Sequence, residues 1–142
     1  MTPSRLIEVL YVEDSAGDVL ITKQILGDQP VKLTVATNGE QALTMLADEQ
    51  FNPAMIILDL SLPVLSGYDV LERNPRKDIP VVVFSGSSNP VDARRALDLR
   101  ACEYFVKPGL QTGVEETDCG TSINRVCWFF MARRDELQGA WR

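Results

Sequence analysis

An α/β fold built on one doubly wound parallel sheet is predicted from three observations. First, short apolar runs recur along the chain and each stops at a residue with chemistry. Leu10-Tyr11-Val12 ends in Glu13-Asp14, and Met55-Ile56-Ile57-Leu58 ends in Asp59. Val81-Val82-Val83-Phe84 ends in Ser85, and Tyr104-Phe105-Val106 ends in Lys107-Pro108. Runs of this length bounded by turn residues are the pattern of buried strands. Second, helical spacing and cap residues fill the intervals, so strand and helix alternate along the chain. Repeated βα units imply a parallel sheet, right-handed crossovers and helices on both faces, three layers in all. Third, Val31, Leu33 and Val35 alternate with Lys32 and Thr34, which marks a half-exposed edge strand.

The elements follow in order. The first strand is predicted over residues 6–12 and a helix over 16–26, with Val19, Leu20 and Ile25 to one side. The edge strand comes next. Asn38 and Gln41 have capping-box spacing and open a helix that buries Ala42, Leu43 and Leu46. The third strand covers residues 54–58. Pro63 and Gly67 break the chain before a short helix over 68–73, which Asn74-Pro75 ends, because a residue before proline avoids the helical region. Pro80 opens the fourth strand, and Asn89-Pro90 caps a helix running to residue 99. The fifth strand covers 103–106. With the second strand at an edge, the flavodoxin-like order 2-1-3-4-5 follows, and the first and third strands meet at the switch point.

The chain has 142 residues, enough for one domain with a single core. Its net charge of −6 argues against phosphate-backbone binding, which wants a basic stripe; no nucleic-acid partner is expected. Three cysteines, with no Cys-x-x-Cys, do not make a disulfide framework, so a reducing, cytoplasmic setting is expected. There is no histidine, which removes histidine general bases, Ser-His-Asp triads and histidine-ligated zinc. No apolar stretch reaches membrane-spanning length, and no signal peptide pattern opens the chain.

A parallel sheet gathers its chemistry at the carboxyl edge of the strands. That edge would hold Glu13, Asp14, Asp59, Ser85 and Lys107. Clustered carboxylates repel, and either raise a pKa or bind a cation. An oxygen-only donor set points to Mg²⁺ or Mn²⁺. Asp14 and Asp59 would supply direct carboxylates, Glu13 a water-mediated contact and the Ser61 backbone carbonyl a neutral ligand. Lys107 and the Ser85 hydroxyl suit the equatorial oxygens of a phosphoryl group in transfer, and Asp59 is the natural nucleophile.

With these intervals in view, the chain resembles the receiver domains of two-component response regulators over residues 6–108. The resemblance rests on Glu13-Asp14, Asp59 with Pro63 and Gly67 behind it, Ser85, and Lys107-Pro108. It implies a phosphorylation-activated switch in which Asp59 takes a phosphoryl group from a histidine kinase, phosphotransfer protein or small phosphodonor, with Mg²⁺ bound. It also implies that Ser85 and Tyr104 move together as the switch, that Ser61 and Ser87 tune phosphate loss, and that a downstream protein reads the altered surface. Two departures are visible. Residues 73–78 are short for the family's third helix and loop, and residues 109–120 carry unusual glycines.

Residues 109–142 form an atypical carboxy-terminal region with some flavour of the small stand-alone regulators paired with phytochrome-type kinases. Its run Trp128-Phe129-Phe130-Met131 is apolar all round a helix, so Trp128 and Phe129 are expected to meet a partner or a second copy of the chain. Arg94, Arg95 and Arg100 read as a solvated helix face. Three alternatives compete. A haloacid dehalogenase-type phosphohydrolase would need a second aspartate two residues after Asp59, where Ser61 stands. A flavodoxin would need a hydroxyl- and glycine-rich loop in place of Glu13-Asp14-Ser15. A receiver-like adaptor that is never phosphorylated would not need the complete site.

Overall fold

The computed structural model describes residues 7–26 and 31–106. Within them lie β1 (Ile7–Val12), α1 (Ala16–Leu26), β2 (Val31–Ala36), α2 (Gly39–Ala47), β3 (Met55–Leu58), α3 (Gly67–Arg73), β4 (Val81–Ser85), α4 (Pro90–Asp98) and β5 (Glu103–Val106). The five strands form one sheet in the order β2-β1-β3-β4-β5. Every neighbouring pair is parallel. The sheet order and the alternation are those read from the sequence.

Side chains alternate across a strand, and this divides the interior in two. Leu10, Val12, Ile56, Leu58, Val81 and Val83 face Ala42 and Leu46 of α2, Val70 and Leu71 of α3, and Ala96 of α4. Ile7, Val9, Tyr11, Met55, Ile57, Val82 and Phe84 face the other way, with Val19 of α1 packed against them. β3 and β4 are therefore covered on both sides, and their uninterrupted apolar runs reflect it. β2, at the edge, is mostly half-buried. The helices have seven to eleven residues, too short to hold alone in water. Burial of their apolar stripes, about 1.5–3 kcal/mol for each large side chain, keeps them folded.

The helix starts follow the expected caps, with one shift. The Asn38 side chain accepts from the Gln41 amide at 2.8 Å. Gln41 Oε1 reaches past the cap residue to the Thr37 amide, at 2.7 Å, so the reciprocal arm lands one residue early. Asn89 Oδ1 accepts from the Val91 amide, with Pro90 in the first turn of α4. α3 carries a full capping box between Ser66 and Asp69. Gly67 opens that helix and does not merely break the chain before it.

Leu20 departs from the sequence reading. It was grouped with the buried side of α1, yet it is 57% exposed while Val19 packs on the sheet. Adjacent helical positions lie about 100° apart, and α1 turns Val19 toward the sheet and Leu20 toward solvent. Lys107, Trp128 and Phe129 lie outside the described residues, as does the rest of the region after residue 106.

Candidate functional site

The carboxyl edge of the sheet is where the strand ends bring acids together. Val12 pairs with Leu58 across β1 and β3, so Glu13 and Asp59 leave adjacent strands side by side. The backbone locks this arrangement: Glu13 N donates to the Ala36 carbonyl at 2.9 Å, and Asp59 N to the Val12 carbonyl at 3.1 Å. Glu13, Asp14 and Asp59 each present a carboxylate oxygen, and these oxygens all lie within 4.8 Å of one another. Glu13 and Asp59 are buried, and Asp14 is exposed at the mouth.

The local chain shapes this pocket. Ser15 caps α1, its hydroxyl accepting from the Asp18 amide at 3.2 Å, so the acids ahead of it are not consumed as helix caps. The Ser15 amide donates to Glu13 Oε1 at 3.2 Å. Beyond β3, the Ser61 amide donates to Asp59 Oδ1 at 3.2 Å, while the Ser61 side chain faces solvent. Gly67 backs the loop: its amide donates to the Leu60 carbonyl at 2.9 Å. A Cβ there would stand 2.4 Å from the Asp59 carbonyl oxygen.

The donor set suits a hard divalent cation. Three oxygens converge, no nitrogen or sulfur ligand joins the group among the described residues, and two of the carboxylates sit where water is scarce. Buried carboxylates are costly unless a positive charge answers them. Mg²⁺ usually takes one or two carboxylates and keeps several waters, which the exposed Asp14 side permits.

On the other side of Asp59, β4 delivers Ser85, which is buried. Its hydroxyl accepts from the Ser87 amide at 3.3 Å. Ser87 joins several groups. Its carbonyl accepts from the Tyr104 hydroxyl at 2.7 Å, and its own hydroxyl donates to Asp92 Oδ2 at 2.5 Å. Asp92 Oδ1 accepts from the Tyr68 hydroxyl at 2.7 Å. The Arg95 guanidinium lies over the Tyr68 ring, 4.0 Å from its centre.

Burial, and then the bond to Asp92, push the Tyr68 phenol up to about 12. The Ser87 and Tyr68 hydrogen bonds hold the Asp92 carboxyl below its ordinary range. A phenol raised in this way stabilises the fold fully below its unfolded value of about 10, and loses that contribution as pH climbs toward 12. The Tyr68 Cζ resonance is expected to keep its protonated position well past pH 10, measured by carbon-13 NMR through an alkaline titration.

Of the residues singled out in the sequence, Glu13, Asp14 and Asp59 come together, and Ser85, Ser87 and Tyr104 form a connected group. Tyr68 and Asp92 were missed, and Arg95 was read only as a solvated face. Their signal was weak in the sequence, since a tyrosine one residue after a helix-opening glycine and an acid in the first turn of a helix are both ordinary.

The family model of the response regulator receiver domain matches residues 9–116. The chain belongs to this family, whose members are phosphorylation-activated signalling modules of two-component systems and not metabolic enzymes. The two-component response regulator ORR11 of Oryza sativa subsp. indica is 36% identical over 122 residues, covering 83% of this chain and 79% of that one. ORR3 of the same subspecies is 33% identical over 122 residues, covering 83% of this chain and 88% of that one. Among solved structures, the phosphorylated cyanobacterial phytochrome response regulator RcpA superposes with a TM-score of 0.74 at 27% identity, over 87% of this chain and 93% of that one. The Mn²⁺-bound form of response regulator Rcp1 gives a TM-score of 0.71 at 28% identity, over 84% and 90%. A probable cyclic di-GMP phosphodiesterase of Vibrio cholerae is 35% identical over 104 residues, but the match spans 23% of its length and carries no phosphodiesterase activity across. Receiver domains of this family bind a divalent metal and interact with histidine kinases or phosphotransfer proteins. No helix among the described residues is long and apolar enough to cross a membrane.

Proposed function

We propose that Asp59 is the phosphoacceptor of this receiver domain, with Mg²⁺ or Mn²⁺ held by Asp14 and Asp59 directly, Glu13 through water, and the Ser61 carbonyl as a neutral ligand. The observation that carries this reading is the convergence of three carboxylate oxygens within 4.8 Å at the tips of β1 and β3. A bound divalent cation would neutralise charge on the phosphoryl oxygens in transfer. An oxygen of Asp59 attacks phosphorus, the new O–P bond forms as the P–N bond of a donor phosphoimidazole breaks, and the electron pair leaves with the imidazole. Ser85 offers a hydroxyl to a phosphoryl oxygen, and Lys107, next in the chain after Val106, would offer an ammonium.

Phosphorylation adds about −1.5 to −2 charges and strong acceptors at one point. Ser85 and Tyr104 are the pair that would respond. Both already touch Ser87, one through its amide and one through its carbonyl, so a shift at Ser85 reaches the Tyr104 side chain through a single residue. Ser61 and Ser87 flank the site as the positions that would tune phosphate loss. The cognate donor would be a histidine kinase or phosphotransfer protein, since this chain has no histidine of its own. The Mn²⁺-bound Rcp1 and phosphorylated RcpA structures support both the cation and the acceptor reading.

The test is intact-mass analysis after incubation with acetyl phosphate and Mg²⁺. One phosphoryl group per chain is expected on the wild type, lost with chelator and absent from Asp59→Asn. A gain of the same size on Asp59→Asn would contradict the assignment.

A further inference from the structure

Ser87 controls two groups at once: its amide is bonded to the Ser85 hydroxyl and its carbonyl to the Tyr104 hydroxyl. What holds Ser87 is a bridge from a different part of the fold. Tyr68, in the first turn of α3, donates to Asp92 in the first turn of α4, and Asp92 accepts from Ser87. Ser87 Oγ also accepts from the Asn89 amide at 3.2 Å, so the bridge ends on the loop that leads into the α4 cap. The Tyr68 ring is pinned by Arg95 above it and packs against the sheet core. Tyr68 and Asp92 are 24 residues apart, so their bond joins two helices that are separated in the chain by β4.

We propose that Tyr68 and Asp92 are positioning residues for phosphoryl acceptance, a polar strut between α3 and α4 that holds Ser87 and, through it, the Ser85 hydroxyl and Tyr104. The proposal rests on the reading of Asp59 given above. α3 begins eight residues after Asp59 and is anchored to it through Gly67, whose amide bonds to the Leu60 carbonyl. The strut therefore ties the loop after β4, whose Ser87 amide holds the Ser85 hydroxyl, to the element that backs the acceptor, and sets the two against each other. Both ends keep the protonation state the bond requires: Tyr68 stays a donor and Asp92 a carboxylate across the neutral range. A charge-assisted hydrogen bond that is partly exposed supports an effect of about three- to tenfold in an equilibrium constant.

The experiment compares the full-length wild type with Tyr68→Phe, which keeps the ring over Arg95, and with Asp92→Asn, each alone and with Ser87→Ala. Two quantities are read: amide hydrogen exchange at Ser87 and Asn89 without any phosphodonor, and the dissociation constant for beryllofluoride in Mg²⁺. Tyr68→Phe is expected to speed exchange at both amides and to weaken beryllofluoride about three- to tenfold, with no further weakening once Ser87 is alanine. Faster exchange with unchanged affinity would overturn the proposal, leaving a structural brace only. An equal loss in the Ser87→Ala background would also overturn it, because the effect would not pass through Ser87. Failure of the wild type to take beryllofluoride would sink the Asp59 reading and the proposal with it, whereas normal wild-type binding that Tyr68→Phe leaves untouched sinks the strut alone.

Discussion

Gly67→Ala is expected to destabilise the chain by about 3 kcal/mol, at the upper end of the cost of forcing one extra methyl group into a packed interior. The added Cβ would stand 2.4 Å from the Asp59 carbonyl oxygen and 2.6 Å from Leu60 Cα. Both are backbone atoms, so no side chain can swing away to make room. Relief has to come from moving the loop after β3, and that loop carries Asp59. The variant should therefore lose stability and phosphoryl acceptance together, whereas Gly17→Ala, where a Cβ meets nothing closer than the Ser15 hydroxyl at 3.8 Å, should lose neither. Urea denaturation with parallel acetyl phosphate labelling separates the cases. A Gly67→Ala protein with wild-type stability would show that α3 packs less closely on the acceptor loop than the geometry here.

What was legible in the sequence follows from which physics is local. The apolar runs of β1, β3 and β4 announce themselves because strands buried on both faces have no polar alternation to blur them. Asn38 and Asn89 announce helix starts because a cap is a bond between residues two or three apart. The acidic site was legible for a related reason: each carboxylate ends a strand, and strand order alone decides which tips are neighbours. Tyr68 and Asp92 could not be seen, because their bond depends on how α3 and α4 are set side by side on the sheet. Leu20 was misplaced because a two-residue apolar step does not say which member points inward. Val64, with φ of 66°, was equally hidden. A β-branched residue in the left-handed region is uncommon, and nothing in its neighbours predicts that the turn after β3 imposes it. Arg100, at φ of 76°, occupies the position just past the α4 cap where glycine is the usual choice.

Asp14→Asn has the second large effect. Asp14 is the one exposed carboxylate of the three, so replacing it removes a proposed cation ligand without opening the core or leaving a buried group stranded. The fold should survive with near-native stability, as surface substitutions generally do. In metal-free buffer stability should even rise slightly, since the substitution relieves repulsion between like charges whose oxygens lie within 4.8 Å, a repulsion that solvent at the exposed Asp14 keeps small. Cation affinity should fall steeply, because outer partners of metal ligands alone cost about 10- to 100-fold and a direct ligand should cost no less. Stability and affinity thus move in opposite directions, a pattern that general damage to the protein does not produce.

Calorimetric titration of Mn²⁺ into the wild type, Asp14→Asn and Asp59→Asn measures this directly, with no phosphodonor present. One ion per wild-type chain and a loss of at least about tenfold in affinity in each variant is the expected result. Wild-type affinity in either variant would mean that the acids at the tips of β1 and β3 do not grip a common ion, and that the phosphoacceptor reading of Asp59 has no metal site to stand on.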